Sequence, residues 1–320
     1  MPVNGRDFGI DTDRHLNALP GPGAAAGPDW ATIMAWRPPA VPTFAARYFF
    51  PGHLFTHGEL NGVRHAQGGN PPTNPDLAYI LPIQGPGAPP FNRVQGLDGG
   101  GAAQPAETVQ GWGDDDATST CNAIVQAVRA GDLAFTFLPT VIVYLDVEPG
   151  VQLSADYWYG WASRVYWYTY ASIAPPFLHL PFYPGVYCTT NSTDPGQPGH
   201  VHHRIPSTDV RDGLTKPPNN LASRCYGVWA ANPLTDNGMP GTPNDRFAPG
   251  FEPDWENRFS VWQQTVHVIF GLIEWHTDVP VRVWQYTIQA AGHGAFNALH
   301  VDLDETSPDF DAVGWMLHVP

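Results

Sequence analysis

The chain is predicted to be an α/β protein built on a parallel sheet or barrel, and three observations carry that expectation. One strand, "VIVYLDVE", is apolar on both faces up to Tyr144, as strands covered on both sides are. Strand-like segments alternate with helical ones along the chain. The long Pro/Gly-rich segments follow strands, which is where barrel enzymes build their sites. All 320 residues are read as a single domain, with its core over about residues 7–305.

The expected strands are 7–11, 45–50, 78–84, 140–148, 182–189, 225–231 and 281–287. Residues 114–130 predict a helix. Asp114, Asp115 and Asp116 suit its N-terminus, and Ala123, Ile124, Ala127 and Val128 recur at helical spacing. Residues 154–172 predict a second helix with Ser154 as N-cap and an aromatic face that suits core packing. Residues 254–272 predict a third. Between these lie four long loops, 51–77, 85–113, 190–224 and 232–253.

Side chains alternate along a strand, so Ile142, Tyr144, Asp146 and Glu148 share one face of 140–148. Two acids at this spacing stand roughly 6 to 7 Å apart at the backbone. Like charges that close disfavour joint ionisation, so one carboxyl stays protonated towards neutral pH. A protonated acid beside a second carboxylate is what glycosidic cleavage requires. The plainer reading is that both acids cap a strand end in solvent. Asp11 sits at another strand end.

Formal net charge is −15, from 15 basic and 30 acidic residues, and only 14% of residues are charged. Lys216 is the sole lysine. An acidic chain without a basic cluster argues against nucleic acid and anionic lipid as partners. No run of 18 apolar residues predicts a membrane span. The first residues, "MPVNGRDFGIDTD", lack a signal-peptide pattern, which leaves a removed leader, unconventional export or a cytoplasmic location open. Cys121, Cys188 and Cys225 are too few for a disulfide framework. Cys188 and Cys225 lie at matching strand ends and could pair, or stay reduced and buried. His200, His202 and His203, with His179 upstream, lack a completed zinc set, so no metal site is expected. No glycine-rich segment has the phosphate-loop context, and no nucleophile elbow occurs. No cofactor is implied.

"FGIDTD", "YLDVEP", "VWAAN", "VWQYT" and "VDLD", in this order, resemble the family 25 glycoside hydrolases, which are lysozyme-type muramidases. The likeness looks closer still to a related glycoside-hydrolase-like domain of unknown function. The resemblance implies a modified (β/α) TIM-like barrel with long loops at the carboxyl ends of its strands. It also implies the general acid at Glu148, with Asp146 steering the substrate's N-acetyl group or stabilising the oxocarbenium-like centre. Asp11 and Asp302 would hold the surrounding field, and the "VDLD" register allows Asp304 in place of Asp302. Tyr48, Trp229, Trp284 and Tyr286 would form a platform for sugar rings, or else pack the barrel interior. The implied partner is a cell-wall glycan, and the implied location is extracellular or at the cell surface. The alternative is a catalytically inactive barrel that binds glycan or self-associates as a structural surface protein. In that case Arg47 is a candidate partner for the acids.

Overall fold

A computed structural model of the protein describes residues 8–12, 43–50, 55–56, 79–84, 91–135, 141–148, 150–168, 182–191, 205–206, 208–217, 220–231, 261–267, 274–287, 301–307, 310 and 315–319. Seven strands lie parallel in the order β1 (Phe8–Thr12), β2 (Phe44–Tyr48), β3 (Tyr79–Gln84), β4 (Val141–Val147), β5 (Phe182–Asn191), β7 (Val228–Ala231) and β9 (Glu274–Thr287). The sheet curls like part of a barrel. Strand β10 (Val301–Thr306) pairs antiparallel with both outer strands, β1 and β9. Short strands β6 (Ile205–Pro206) and β11 (Leu317–His318) pair with β5 and β3. The expected α/β class with a parallel sheet is therefore present, and the seven parallel strands form a curled half-barrel compatible with the expected TIM-like fold, but not a closed barrel.

The described helices are α1 (Phe91–Val94), α2 (Ala106–Arg129), α3 (Ala155–Trp167) and α4 (Thr208–Thr215). Their apolar side chains pack with Ile10, Ala45, Val141, Val143, Leu145 and Val186 on the outer face of the sheet. The inner face carries Phe44, Ala46, Leu81, Ile142, Tyr144, Tyr187 and Trp229. Strand alternation thus sorts β4 into two cores, which is why its apolar run is continuous. Gly9 lets the Phe44 ring lie against β1, since a Cβ there would meet the ring at 2.3 Å.

Three expectations are corrected. The expected helix at 254–272 is instead β8 (Val261–His267), which forms an antiparallel hairpin with the first half of β9. Val261, Trp262, Thr265 and Val266 are β-branched or aromatic, and such residues favour a strand once a partner is available. The expected loop 85–113 contains α1 and the first two turns of α2. Likewise, the loop 190–224 contains β6 and α4. Asp114–Asp116 consequently lie inside α2 and not at its N-terminus. Asp114 pairs with Arg164 at 2.6 Å, and Asp116 accepts from Arg93 and from the Tyr157 hydroxyl. The second helix does start as expected: Ser154 caps it by accepting from the Tyr157 amide. It stops at Trp167. Among the described residues no helix is long and apolar enough to cross a membrane.

Cys188 and Cys225 sit on or beside the neighbouring strands β5 and β7, yet both are free and buried, as is Cys121. Burial pushes all three thiols up, that of Cys225 to about 12. The loops 51–77 and 232–253 and the four histidines lie almost wholly or wholly outside the described residues.

Candidate active site at the carboxyl end of the sheet

The carboxyl ends of β1, β2 and β4 bring acids and a phenol together on the inner face. Asp146 follows Ile142 and Tyr144 along that face of β4, with Glu148 one step beyond the strand. Asp11 lies opposite Ala46 on β2, and the alternation from outward-facing Ile10 turns it inward. Tyr48, half-buried at the end of β2, donates its hydroxyl to Asp146 Oδ2 at 3.3 Å. Asp302 occupies the β10 position directly opposite Asp11.

Burial is the largest influence on the electrostatics of this corner. Asp146 is only 3% exposed. Burial pushes its carboxyl well above the usual range, Glu148 adds to the rise, and the Tyr48 hydrogen bond opposes it. Glu148 is half-buried and is likewise pushed up by desolvation. The Tyr48 phenol rises for the same reason, with Asp11, Asp146, Tyr187 and Glu148 contributing. Among the described residues neither Asp146 nor Glu148 forms an ion pair, so Arg47 does not neutralise them. Arg47 instead donates to the Tyr48 carbonyl. Asp146 Oδ1 is buried with no hydrogen-bond partner among the described residues.

Beneath the acids lies a polar network that only part of the sequence reading anticipates. The Trp229 indole N–H donates to Asp304 at 3.0 Å, and the Tyr187 hydroxyl donates to Gln285 at 2.9 Å. Tyr144 and Tyr187 both meet the Trp229 ring edge-on, at 5.8 and 4.9 Å. Asp304 is fully buried opposite Gly9, one alternation step along β10 from Asp302, so the two acids hold different places. Tyr187 and Gln285 were not expected here. Their signal was the alternation Tyr183, Gly185, Tyr187 in the strand "FYPGVYCT", which shares the parity of the acids across β4.

The expected sugar platform is only partly assembled. Tyr48 reaches the acids, while Trp229 lies in the interior below them, fully buried. Trp284 is in the outer core with the helices, on the opposite face from its neighbours Val283 and Gln285. The side chains of Tyr286 and Asp302 lie outside the described residues. No group of three or more potential metal ligands occurs among the described residues. A separate polar cavity of about 210 Å³, lined by Gln95, Gln152, Ser154, Asp209, Asp212 and Lys216, includes none of these acids.

No family model matches the chain, and no curated protein matches it. Among solved structures it is similar to an uncharacterized protein of B. stearothermophilus known from a 1.07 Å crystal structure. The two share 16% identity over 96% of this chain and 99% of that one, with a TM-score of 0.45.

Proposed function

We propose that the protein is a glycoside hydrolase acting on an amino-sugar polymer of the bacterial cell wall, of N-acetylmuramidase type, at the cell surface or outside it. The observation that carries this reading is the pairing of Glu148 with Asp146 at a strand end on the inner face, with no ion pair to either acid among the described residues. Desolvation keeps Glu148 protonated to higher pH than an ordinary glutamate, as a general acid requires. Glu148 protonates the leaving glycosidic oxygen. Asp146 Oδ1, buried and unpartnered among the described residues, is the acceptor for the N–H of a substrate acetamido group. Tyr48 holds the other oxygen of Asp146 and so fixes which one faces substrate. Asp11 and Asp302 keep the field negative and favour the oxocarbenium-like centre. A retaining outcome is expected from the resemblance to family 25 enzymes. The finer fold reading, a modified β/α barrel of that family, belongs to the same proposal.

One observation favours a second reading. Trp229, Tyr187 and Tyr144 fill the interior beside the acids, with Tyr187 in register with Asp146, and Asp146 is almost wholly enclosed. That arrangement suits a barrel that has kept its acids but serves as a glycan-binding or self-associating surface protein.

Release of reducing sugar from purified peptidoglycan separates the two. Under the hydrolase reading, Glu148→Gln keeps the shape, removes the proton donor and lowers the rate by at least about 100-fold. Absence of activity in both proteins, each folded, supports the binding reading.

A further inference from the structure

The opposite end of the sheet gathers aromatic rings and two arginines. Tyr183 stands beside Ile142 near the start of β4 and β5, four residues and about 13 Å along the strand from Tyr187. Its ring meets Tyr226 at 4.5 Å and Trp315 at 5.6 Å, both edge-on. Tyr166, at the end of α3, stacks parallel to Tyr226 at 6.1 Å and meets Trp167 at 5.2 Å. Trp167 is 59% exposed. The result is a run of rings from the interior edge out to solvent.

Two arginines lie on this run. The Arg224 guanidinium is 5.7 Å from the Tyr226 centroid, and that of Arg282 is 6.0 Å from Trp315. Arg224 is half-buried, its Nε has no hydrogen-bond partner, and it forms no ion pair among the described residues. A guanidinium seated on a ring is weakly hydrated and keeps its edge N–H groups directed at whatever approaches in plane. Arg224 is such a group, and Arg282 places a second guanidinium in the same aromatic patch of a chain of net charge −15.

The chemistry narrows the occupant. A purely apolar partner gains nothing from half-buried arginines. Nucleic acid requires a broader basic surface than two arginines on an acidic chain supply. Flat rings with a guanidinium seated on one of them suit a sugar ring that bears a carboxylate. We propose that this end of the sheet is a second saccharide-binding surface, selective for acidic sugars, with Trp167 and Tyr166 stacking on a ring face and Arg224 taking the carboxylate. The proposal stands independently of hydrolysis at the acid end.

The test is titration of the full chain with a tetramer of galacturonic acid and, in parallel, with neutral chitotetraose. Indole N–H signals are followed by NMR and heats by calorimetry. The acidic tetramer is expected to bind, to shift the Trp167 signal and to weaken with added salt. Arg224→Gln is expected to weaken it at least tenfold and Trp167→Ala several-fold, whereas Glu148→Gln leaves it unchanged. Should Arg224→Gln fail to fold, Arg224→Lys and the wild-type Trp167 signal still decide. The proposal is overturned if the acidic tetramer does not bind at millimolar concentration, or binds no better than the neutral one. It is also overturned if binding survives both substitutions or is lost in Glu148→Gln, or if Trp167 is buried by self-association without saccharide.

Discussion

The Tyr48 hydroxyl bonds Asp146 across an intervening strand: β3 lies between β2 and β4, yet the donor reaches the carboxylate at 3.3 Å. Two strand spacings are about 10 Å, more than a tyrosine spans in a flat sheet. The contact exists because the sheet curls, so it reports on curvature and on the acid together. Tyr48→Phe removes the one hydrogen bond that lowers the Asp146 carboxyl. We expect the Asp146 titration, followed by carboxyl-carbon NMR, to move further upward in the variant. An unchanged or lowered midpoint would show that the bond does not form in solution.

A linked effect on stability follows from the sign of the Asp146 shift. Its folded-state value is raised above the ordinary 3.8, so the folded chain binds the proton more tightly than the unfolded chain. Stability therefore falls as pH rises from the ordinary aspartate range towards the raised value and is level above it. Asp146→Asn retains the oxygen that accepts from Tyr48 and removes the charge. The variant should lose this part of the decline and melt at least about 2 °C higher than the parent at pH 8. Parallel melting curves from pH 4 to pH 8, with a constant gap or none, would refute the linkage.

Glycines give a sharper packing test. Helices α2 and α3 cross where a Cβ on Gly160 would fall 2.0 Å from the Gln110 carbonyl oxygen, and one on Gly113 would fall 2.3 Å from that of Tyr157. Gly111 in the same helix faces open space. Gly160→Ala should cost about 1–3 kcal/mol, because two backbones must separate. Gly111→Ala should instead stabilise by about 0.5–1 kcal/mol through helix propensity. Urea denaturation of the pair decides, and equal effects would place the crossing elsewhere.

The indole of Trp229 offers a fourth check. Trp229→Phe keeps a ring for Tyr144 and Tyr187 to pack against but withdraws the donor to Asp304. The expected loss is about 1–3 kcal/mol, read from chemical denaturation, with Asp304→Asn in the same background recovering part of it. A loss below about 0.5 kcal/mol would indicate that the hydrogen bond contributes little.

Thiol chemistry should be silent in the native protein. Cys121, Cys188 and Cys225 are buried, and burial disfavours their thiolates. A disulfide reagent is expected to label none of them in native buffer and all of them in guanidinium under reducing-agent-free conditions. Fast labelling of the native chain would contradict their burial.

What could be read from the sequence depended on whether a residue's role was local. The strand at 140–148 was legible because its alternation and its apolar run are both short-range facts, and the same alternation placed Asp146 and Glu148 on one face. Ser154 was legible as a cap for the same reason. Gly111 and Gly113 resemble loop glycines until α3 is present to need Gly113, so the start of α2 passed for loop. Asp114 and Asp116 looked like a helix start until Arg164 and Arg93 arrived from elsewhere in the chain. Trp284 looked like a platform residue because facing depends on register, and β9 enters with a shift between Val228 and Trp229 of its neighbour β7. The hairpin of β8 with β9 was invisible for a similar reason: helical spacing at 254–272 was overridden by a partner strand.

Strand β10 also governs how the chain can be made. β1 leaves a ribosome nearly three hundred residues before one of its two neighbours, β10. Until then β1 has only β2 beside it, and β9 also lacks a neighbour. Such distant pairing is slow to form and leaves unpaired edges exposed meanwhile. Synthesis of this protein therefore includes a long interval in which β1 and β9 each lack one partner strand, and the six-residue strand β10 supplies both pairings.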